Sequence, residues 1–122
     1  MTKILFTTMF LFLSTASAFD FDYESEECLN IKLATDAIAS NIANVETTRT
    51  PEGGPYLRLY PYYDQDGNFQ IYQYSSSLLE YEPGHPDANE YGLVRYPHIN
   101  LEKEIESIVE WSLEFKRDCR IE

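Results

Sequence analysis

Basic residues, histidine and cysteine are scarce in this chain of 122 residues. Nine Lys and Arg residues stand against 21 Asp and Glu residues, which gives a formal net charge of −12. Because nucleic acids and anionic lipids are bound mainly through clusters of Lys and Arg, this balance argues against both classes of partner. A hydrophobic content of 43%, with ten Tyr and seven Phe, argues against wholesale disorder. The composition is therefore that of a folded, acidic domain.

The residues that usually carry catalysis are also few. The two histidines, His85 and His98, each neighbour a proline, and neither lies in a recognisable nucleophile motif, so they are interpreted as turn residues. The carboxylates of the C-terminal segment are spread along a predicted helix, which favours a solvated surface over an acid–base pair. The sequence predicts a protein that is not an enzyme and has no small-molecule substrate.

Two glycine-containing stretches resemble parts of ligand-binding loops, but neither matches the full pattern of such a loop. Residues 64–68, DQDGN, resemble the start of a calcium loop, but Gly67 comes two positions early and no bidentate Glu follows at the required distance. A hairpin turn explains them sufficiently. Gly53 and Gly54 lack the preceding strand and following helix of a phosphate-binding loop. We expect no cofactor and no metal site.

Long hydrophobic runs are limited to the N-terminus. Lys3, the apolar segment 4–13 and the small residues at 16–18 have the order of a secretory signal peptide. The apolar run is about half of the roughly 20 residues that span a bilayer, so an uncleaved anchor is the less favoured alternative. We predict a signal peptide over residues 1–18 and a single domain over 19–122, exported to the periplasm.

Two helices are predicted, over residues 24–45 and 101–119. Their presumed facing positions recur at intervals of three and four residues, the pattern of helices that pack at a shallow angle. In the first helix these are Cys28, Ile31, Thr35, Ile38, Ile42 and Val45, and in the second Leu101, Ile105, Ile108, Ser112, Phe115 and Cys119.

The two cysteines, Cys28 and Cys119, lie at the start of one predicted helix and the end of the other. The facing positions of each helix form a stripe that is about 26 Å long, at 1.5 Å per residue. An antiparallel pair of such helices would bring the two cysteines to the same end. An even number of cysteines in an exported protein also favours a disulfide. The alternative is two unrelated thiols.

Between the helices, the hydrophobic pattern changes to a period of two. Residues 56–60 and 68–74 alternate across a turn, and residues 77–82 and 91–97 are candidate third and fourth strands. The predicted fold class is α+β. The N- and C-terminal helices pair as an antiparallel, coiled-coil-like hairpin around a small β-rich insert over residues 56–97.

Two motifs stand out, AIASNIANVETTRTPEGGPY at 37–56 and a second one at 81–105 that precedes the C-terminal helix. They resemble those of bacterial flagellar basal-body rod proteins, in particular the proximal rod subgroup. The first is similar to the family's NxANxxT segment and its continuation. The second, YEPGHPDANEYGLVRYPHINLEKEI at 81–105, is similar to the hallmark that precedes the C-terminal helix, with Asn100 one place later than in the family. The resemblance implies a structural protein whose helix pairs pack into a tube.

The residues that carry the resemblance are therefore candidate assembly residues. The first motif contributes Asn41, Ala43, Asn44, Thr47, Thr48, Pro51, Gly53, Gly54 and Tyr56, and the second contributes Tyr81, Pro83, Gly84, Pro86, Gly92, Val94, Pro97 and Asn100. The Asn and Thr side chains are expected to bond backbone groups at the helix end, and the glycines to form a tight turn.

Two features depart from the family, namely the predicted signal peptide and a C-terminal helix that is shorter than usual. The favoured interpretation is a structural rod component of the basal body, whose partners are other rod or basal-body proteins. The alternative is a stand-alone periplasmic relative that binds a protein partner through its tyrosine-rich insert: Tyr60, Tyr62, Tyr63, Tyr72 and Tyr74. Those tyrosines could instead fill a small sheet core.

Overall fold

The protein is described by a computed structural model over residues 25–119. The predicted signal peptide, the start of the mature chain at Phe19 and the first residue of the predicted N-terminal helix lie outside the described residues. The elements in chain order are α1 (Glu26–Ala43), β1 (Leu59–Tyr63), β2 (Phe69–Gln73), β3 (Ser77–Tyr81), β4 (Leu93–Pro97) and α2 (Leu101–Asp118). Within this range, no helix is long and apolar enough to cross a membrane.

Both helices begin at a side-chain cap. Ser25 accepts a hydrogen bond from the backbone N–H of Cys28, and Asn100 accepts one from Lys103. Acidic residues occupy the first turn of each helix, and α2 carries Lys116 and Arg117 in its last turn, an arrangement that suits the helix dipole.

The helices pack against each other and run antiparallel, since the start of α1 lies beside the end of α2. The structure contains the Cys28–Cys119 disulfide at this end, with the Cα atoms 5.6 Å apart. Around it, the buried Ile31 is covered by the partly buried Trp111 and Phe115. A coiled-coil geometry of the pair stays a prediction.

The facing stripe predicted for α2 is partly wrong. Ile108, Phe115 and Cys119 do turn inward, but Leu101 and Ile105 are 44% and 47% exposed, and Ser112 is also exposed. The inward row instead consists of Glu104, Ile108, Trp111, Phe115 and Cys119. The prediction assumed that no charged residue lies in the core. Because of that assumption, it placed Leu101 and Ile105 in the facing row instead of Glu104.

In α1, the buried positions include two alanines that the predicted stripe omits. Ala34 and Ala37 are 0% and 5% exposed, beside the predicted Cys28, Ile31 and Ile38. Small side chains on this face allow the neighbouring elements to approach the helix closely. Asn41 continues the buried face at the end of the helix.

The insert forms two separate two-stranded antiparallel sheets. In the first, β1 pairs with β2 so that Tyr60 lies opposite Tyr72, and in the second β3 pairs with β4 so that Tyr81 lies opposite Leu93. The first strand begins at Leu59, three residues later than predicted, because the chain before it is used to dock onto α1. Tyr63 of β1 approaches Trp111 of α2 with ring centroids 6.3 Å apart, so this sheet also contacts the second helix.

We expect the disulfide to be a large part of the stability of the helix pair. It joins residues 91 positions apart, so it removes much of the freedom of the unfolded chain. In urea denaturation under oxidising conditions, Cys28→Ser should lower the free energy of unfolding by about 2–5 kcal/mol. The parent protein in reducing agent is the matched control and should unfold like the variant. An unchanged midpoint in the variant would contradict the assignment.

Candidate assembly site

A buried asparagine connects the first motif to the sheet. Asn41 is completely buried, and its Nδ2 donates to the carbonyl of Leu59 at 2.7 Å and to Oε2 of Glu104 at 3.1 Å. Its Oδ1 accepts from the N–H of Leu59 at 2.9 Å and from the hydroxyl of Tyr56 at 2.8 Å. The side chain thus uses both donors and both acceptor positions. It pairs with Leu59 as a neighbouring strand would.

A buried ion pair completes this polar core. Glu104 is 2% exposed, and its Oε1 accepts from Nε of Arg58 at 2.5 Å. The Arg58 guanidinium lies 5.4 Å from the ring centroid of Tyr60 and 5.2 Å from that of Tyr74, within cation–π range. A buried carboxylate is costly without a partner, so Arg58 and Asn41 together make this position tolerable. We call Asn41, Tyr56, Arg58, Leu59 and Glu104 the polar core.

The polar core corrects two expectations. Asn41 was expected to bond exposed backbone at the end of its own helix, and it bonds Leu59 instead. The carboxylates of α2 were all expected to be solvated, and Glu104 is not. Glu104, Ile108, Trp111 and Phe115 follow one another at intervals of four, three and four residues, and this periodicity is the sequence signal that could have found Glu104.

The threonine-rich segment closes into a compact loop. Asn44 behaves as expected, donating to the carbonyl of Ser40 at 2.8 Å and accepting from the Thr47 hydroxyl at 3.0 Å. The N–H of Tyr56 donates to the carbonyl of Thr47 at 3.0 Å, which returns the chain to the helix. Within the loop, Gly53 and Gly54 have φ angles of 92° and 75°, a left-handed conformation that favours glycine. Pro51 in the loop and Ala43, the last residue of α1, are exposed.

A partly buried contact joins the first motif to the second. The hydroxyl of Thr48 donates to Oδ2 of Asp87 at 2.6 Å, and Arg49 forms an ion pair with Oδ1 of the same carboxylate. The hydrogen bond from Thr48, and then the Arg49 charge, lower the pKa of Asp87. We call Thr48, Arg49 and Asp87 the loop clamp. Asp87 was not singled out from the sequence, because an acidic residue in a turn is common.

The second motif builds the turn between β3 and β4. Gly92 has a φ of 78°, and a Cβ there would lie 2.8 Å from a ring carbon of Tyr81 and 3.1 Å from Cβ of Pro83. Glycine is therefore required at position 92 both for the positive φ angle and for the close approach of Tyr81 and Pro83 to the backbone. Val94 and Pro97 are buried in β4. Of the remaining motif residues, Gly84 and Pro86 are exposed in the turn and Asn100 caps α2.

A row of exposed apolar side chains runs along the outer side of α2. Leu101, Ile105, Val109 and Leu113 recur every four residues and are 44%, 47%, 50% and 60% exposed. Rows at this spacing are the ridges that pack into the grooves of other helices. We call these four residues the α2 ridge. It is an apolar surface that the described part of the chain leaves about half exposed.

The tyrosines of the first sheet form a second exposed surface. Tyr60, Tyr63 and Tyr72 are 41%, 44% and 52% exposed, while Tyr62 and Tyr74 are half-buried. Tyr72 and Tyr74 meet edge to face with centroids 4.9 Å apart. The sheet therefore presents its tyrosines rather than enclosing them as a core.

In the part of the chain that the structure describes, the remaining polar groups show no arrangement that is specific to catalysis. His85 accepts from the backbone N–H of Asp87, and His98 lies 3.2 Å from the Ser76 hydroxyl, a contact that the sequence did not indicate. Asp64 accepts from the N–H groups of Asp66 and Asn68, as in a hairpin turn. The one candidate metal group among residues 25–119 consists of surface carboxylates: Glu27, Glu114 and Asp118.

Loss of the Asn41 side chain should destabilise the whole domain. Asn41→Ala leaves the N–H and carbonyl of Leu59 and the Glu104 carboxylate without this partner, so we expect a loss of about 3–5 kcal/mol of unfolding free energy. Asn44→Ala is the control, because it removes local hydrogen bonds near the surface, and it should cost about 1 kcal/mol. Similar urea midpoints for the two variants would contradict the role given to Asn41.

The loop clamp should respond to acid. Because folding lowers the pKa of Asp87 from its ordinary 3.8, the stabilisation is present above that value and is lost as pH falls below it. Thr48→Val removes the largest single cause and Arg49→Gln removes the neighbouring positive charge, so each variant should raise the pKa of Asp87. An NMR titration of the Asp87 carboxyl carbon measures both shifts. The assignment is wrong if Thr48→Val leaves the titration unchanged.

Three curated proteins that are similar to this chain bear the same name. The flagellar basal-body rod protein FlgC of Borreliella burgdorferi is 31% identical, over 74% of this chain and 78% of that protein. FlgC of Aquifex aeolicus is 29% identical, over 64% of this chain and 66% of that protein. FlgC of Borrelia hermsii is 70% identical over a stretch of 27 residues, 22% of this chain and 46% of the relative.

No family model matches the chain. The match to the Borreliella protein nevertheless covers most of both sequences. This chain belongs to the FlgC family of flagellar basal-body rod proteins.

Proposed function

We propose that this protein is a non-catalytic structural component of the bacterial flagellar basal-body rod. The family membership supports this role, since its relatives are named rod proteins. The observation that carries it in this chain is the α2 ridge, an apolar row on a capped, regular helix. Burying it against neighbouring helices would stabilise an assembly at about 25 cal/mol per Å² of apolar surface.

The polar core and the loop clamp would serve this role by holding the ridge in a fixed orientation. Asn41 and Glu104 join the end of α1 to the start of α2, and Thr48 joins the first motif to the turn of the second. A subunit in a regular assembly must present the same surface in every copy. Rigid attachment of α2 to the rest of the domain meets that requirement.

We further propose that the chain reaches the periplasm through a cleaved signal peptide over residues 1–18. The charged, apolar and small-residue regions of this segment support the proposal. The partners would then be other rod or basal-body proteins that meet the chain in that compartment.

A second candidate function is a stand-alone periplasmic binding module. The exposed tyrosine surface of the first sheet favours it, because tyrosine is enriched at the energetic centres of protein interfaces. The disulfide would suit such a module by closing the helix pair within one molecule. In this case the tyrosines, and not the α2 ridge, would carry the contact.

A matched pair of exposed leucines tests the rod assignment. Leu113 lies on the α2 ridge and is 60% exposed, and Leu79 lies on β3 and is 56% exposed. Either change to Ser should alter the folding stability of the isolated protein by no more than about 0.5 kcal/mol. Leu113→Ser should reduce the amount of this chain in purified hook–basal bodies severalfold, whereas Leu79→Ser should not.

Quantitative mass spectrometry of the basal bodies measures the amounts. The same spectra should contain a peptide that begins at Phe19 if the signal peptide is removed as proposed. Absence of the parent chain from basal bodies, with mature protein free in the periplasm, would overturn the rod assignment and favour the binding module. Equal incorporation of both variants would overturn the role of the ridge.

A further inference from the structure

A groove of about 350 Å³ lies where the first sheet meets the start of α2. Its lining is unusual for this acidic chain, because two of the nine basic residues and one of the two histidines converge on it. The lining consists of Arg58, Tyr74, Ser76, His98, Asn100, Lys103 and Glu104. Neither the helix pairing nor the loop clamp requires such a concentration of hydrogen-bond donors.

Several of these donors remain available. Among residues 25–119, Arg58 has one carboxylate partner, Glu104, which it bonds through Nε, and its two terminal amino groups make no hydrogen bond to a described residue. Lys103 forms no ion pair with any described residue, and only Nδ1 of His98 is engaged, by Ser76. No buried side-chain nitrogen or oxygen in the described residues lacks a partner, so the unused Arg58 groups are open to solvent.

The surroundings also hold Arg58 in place. Its guanidinium lies near the rings of Tyr60 and Tyr74, and its Nε is fixed by the buried Glu104. A planar guanidinium presents parallel N–H groups that match the two oxygens of a carboxylate. Because this orientation exists before any ligand arrives, little side-chain entropy would be lost on binding.

The charge of the groove selects the kind of anion. Arg58 and Lys103 bring two positive charges, and Glu104 cancels one of them. The remaining single charge suits a carboxylate better than a dianionic phosphate. We propose that the groove is a binding site for a carboxylate group, bound by Arg58 and Lys103 with His98 and Ser76 beside it.

The carboxylate could be a side chain of an acidic protein segment or a free small molecule. The first source rests on the proposed function, since a neighbouring subunit would supply the acid, whereas the second does not. Carboxylate binding in the groove can be tested on the isolated domain. A negative result there is therefore distinguishable from failure of the rod assignment. Arg58 is unsuitable for substitution, because its loss would leave Glu104 buried without a counter-charge.

The experiment is an NMR titration of the disulfide-bonded protein over residues 19–122 at low ionic strength. One arm uses sodium succinate, another uses acetylated triglutamate, and sodium chloride at equal ionic strength is the reference. We expect saturable shifts at the amides of His98 and Lys103 and at the Arg58 Nε–H. Lys103→Glu should weaken binding about tenfold or more. Lys116→Glu, the same charge change at the other end of α2, should not.

Each outcome decides the question. Tighter binding of triglutamate than of succinate identifies an acidic segment as the source, and the reverse identifies a small carboxylate. Shifts that do not saturate in either arm, or that chloride reproduces, would overturn the site. So would equal weakening by Lys103→Glu and Lys116→Glu, because that result reflects net charge alone.

Discussion

The structure depends on one buried amide. Asn41 pairs with the backbone of Leu59 and donates to Glu104, so it is the point where α1, β1 and α2 meet. Each of these groups would be costly to bury alone. The Glu104–Arg58 ion pair is tolerable here because the amide and the guanidinium satisfy both carboxylate oxygens. At the opposite end of the helices, the Cys28–Cys119 disulfide makes a second attachment, and together the two ends fix the helix pair.

The rest of the domain follows from this arrangement. The inner face of α2 is occupied by Glu104, Trp111 and Phe115. The four apolar residues of the α2 ridge are therefore left on the outer side of the helix. Glu104 also holds Arg58 in place, and Arg58 lines the groove at the start of α2. One polar network therefore sets both the surface proposed for assembly and the groove proposed for a carboxylate.

Much of this could be predicted from the sequence, and the rest failed for physical reasons. Helix periodicity and cysteine positions predicted two helices, their antiparallel order and the disulfide. Turn residues such as Gly67 indicated the hairpins. Hydrophobicity alone could not place Glu104 inside, because a carboxylate becomes a core residue only where a tertiary partner, here Arg58, neutralises it. The Thr48–Asp87 contact joins residues 39 positions apart, and no local pattern encodes it.

The central claim is that the polar core makes the helices and the sheet one cooperative unit. Native-state hydrogen exchange at the Leu59 amide tests this claim most directly. The account predicts that this amide exchanges only through global unfolding, with the same free energy and denaturant dependence as the amide of Ile31 in the helix pair. Exchange of Leu59 through a local opening of much lower free energy, while Ile31 stays protected, would contradict it.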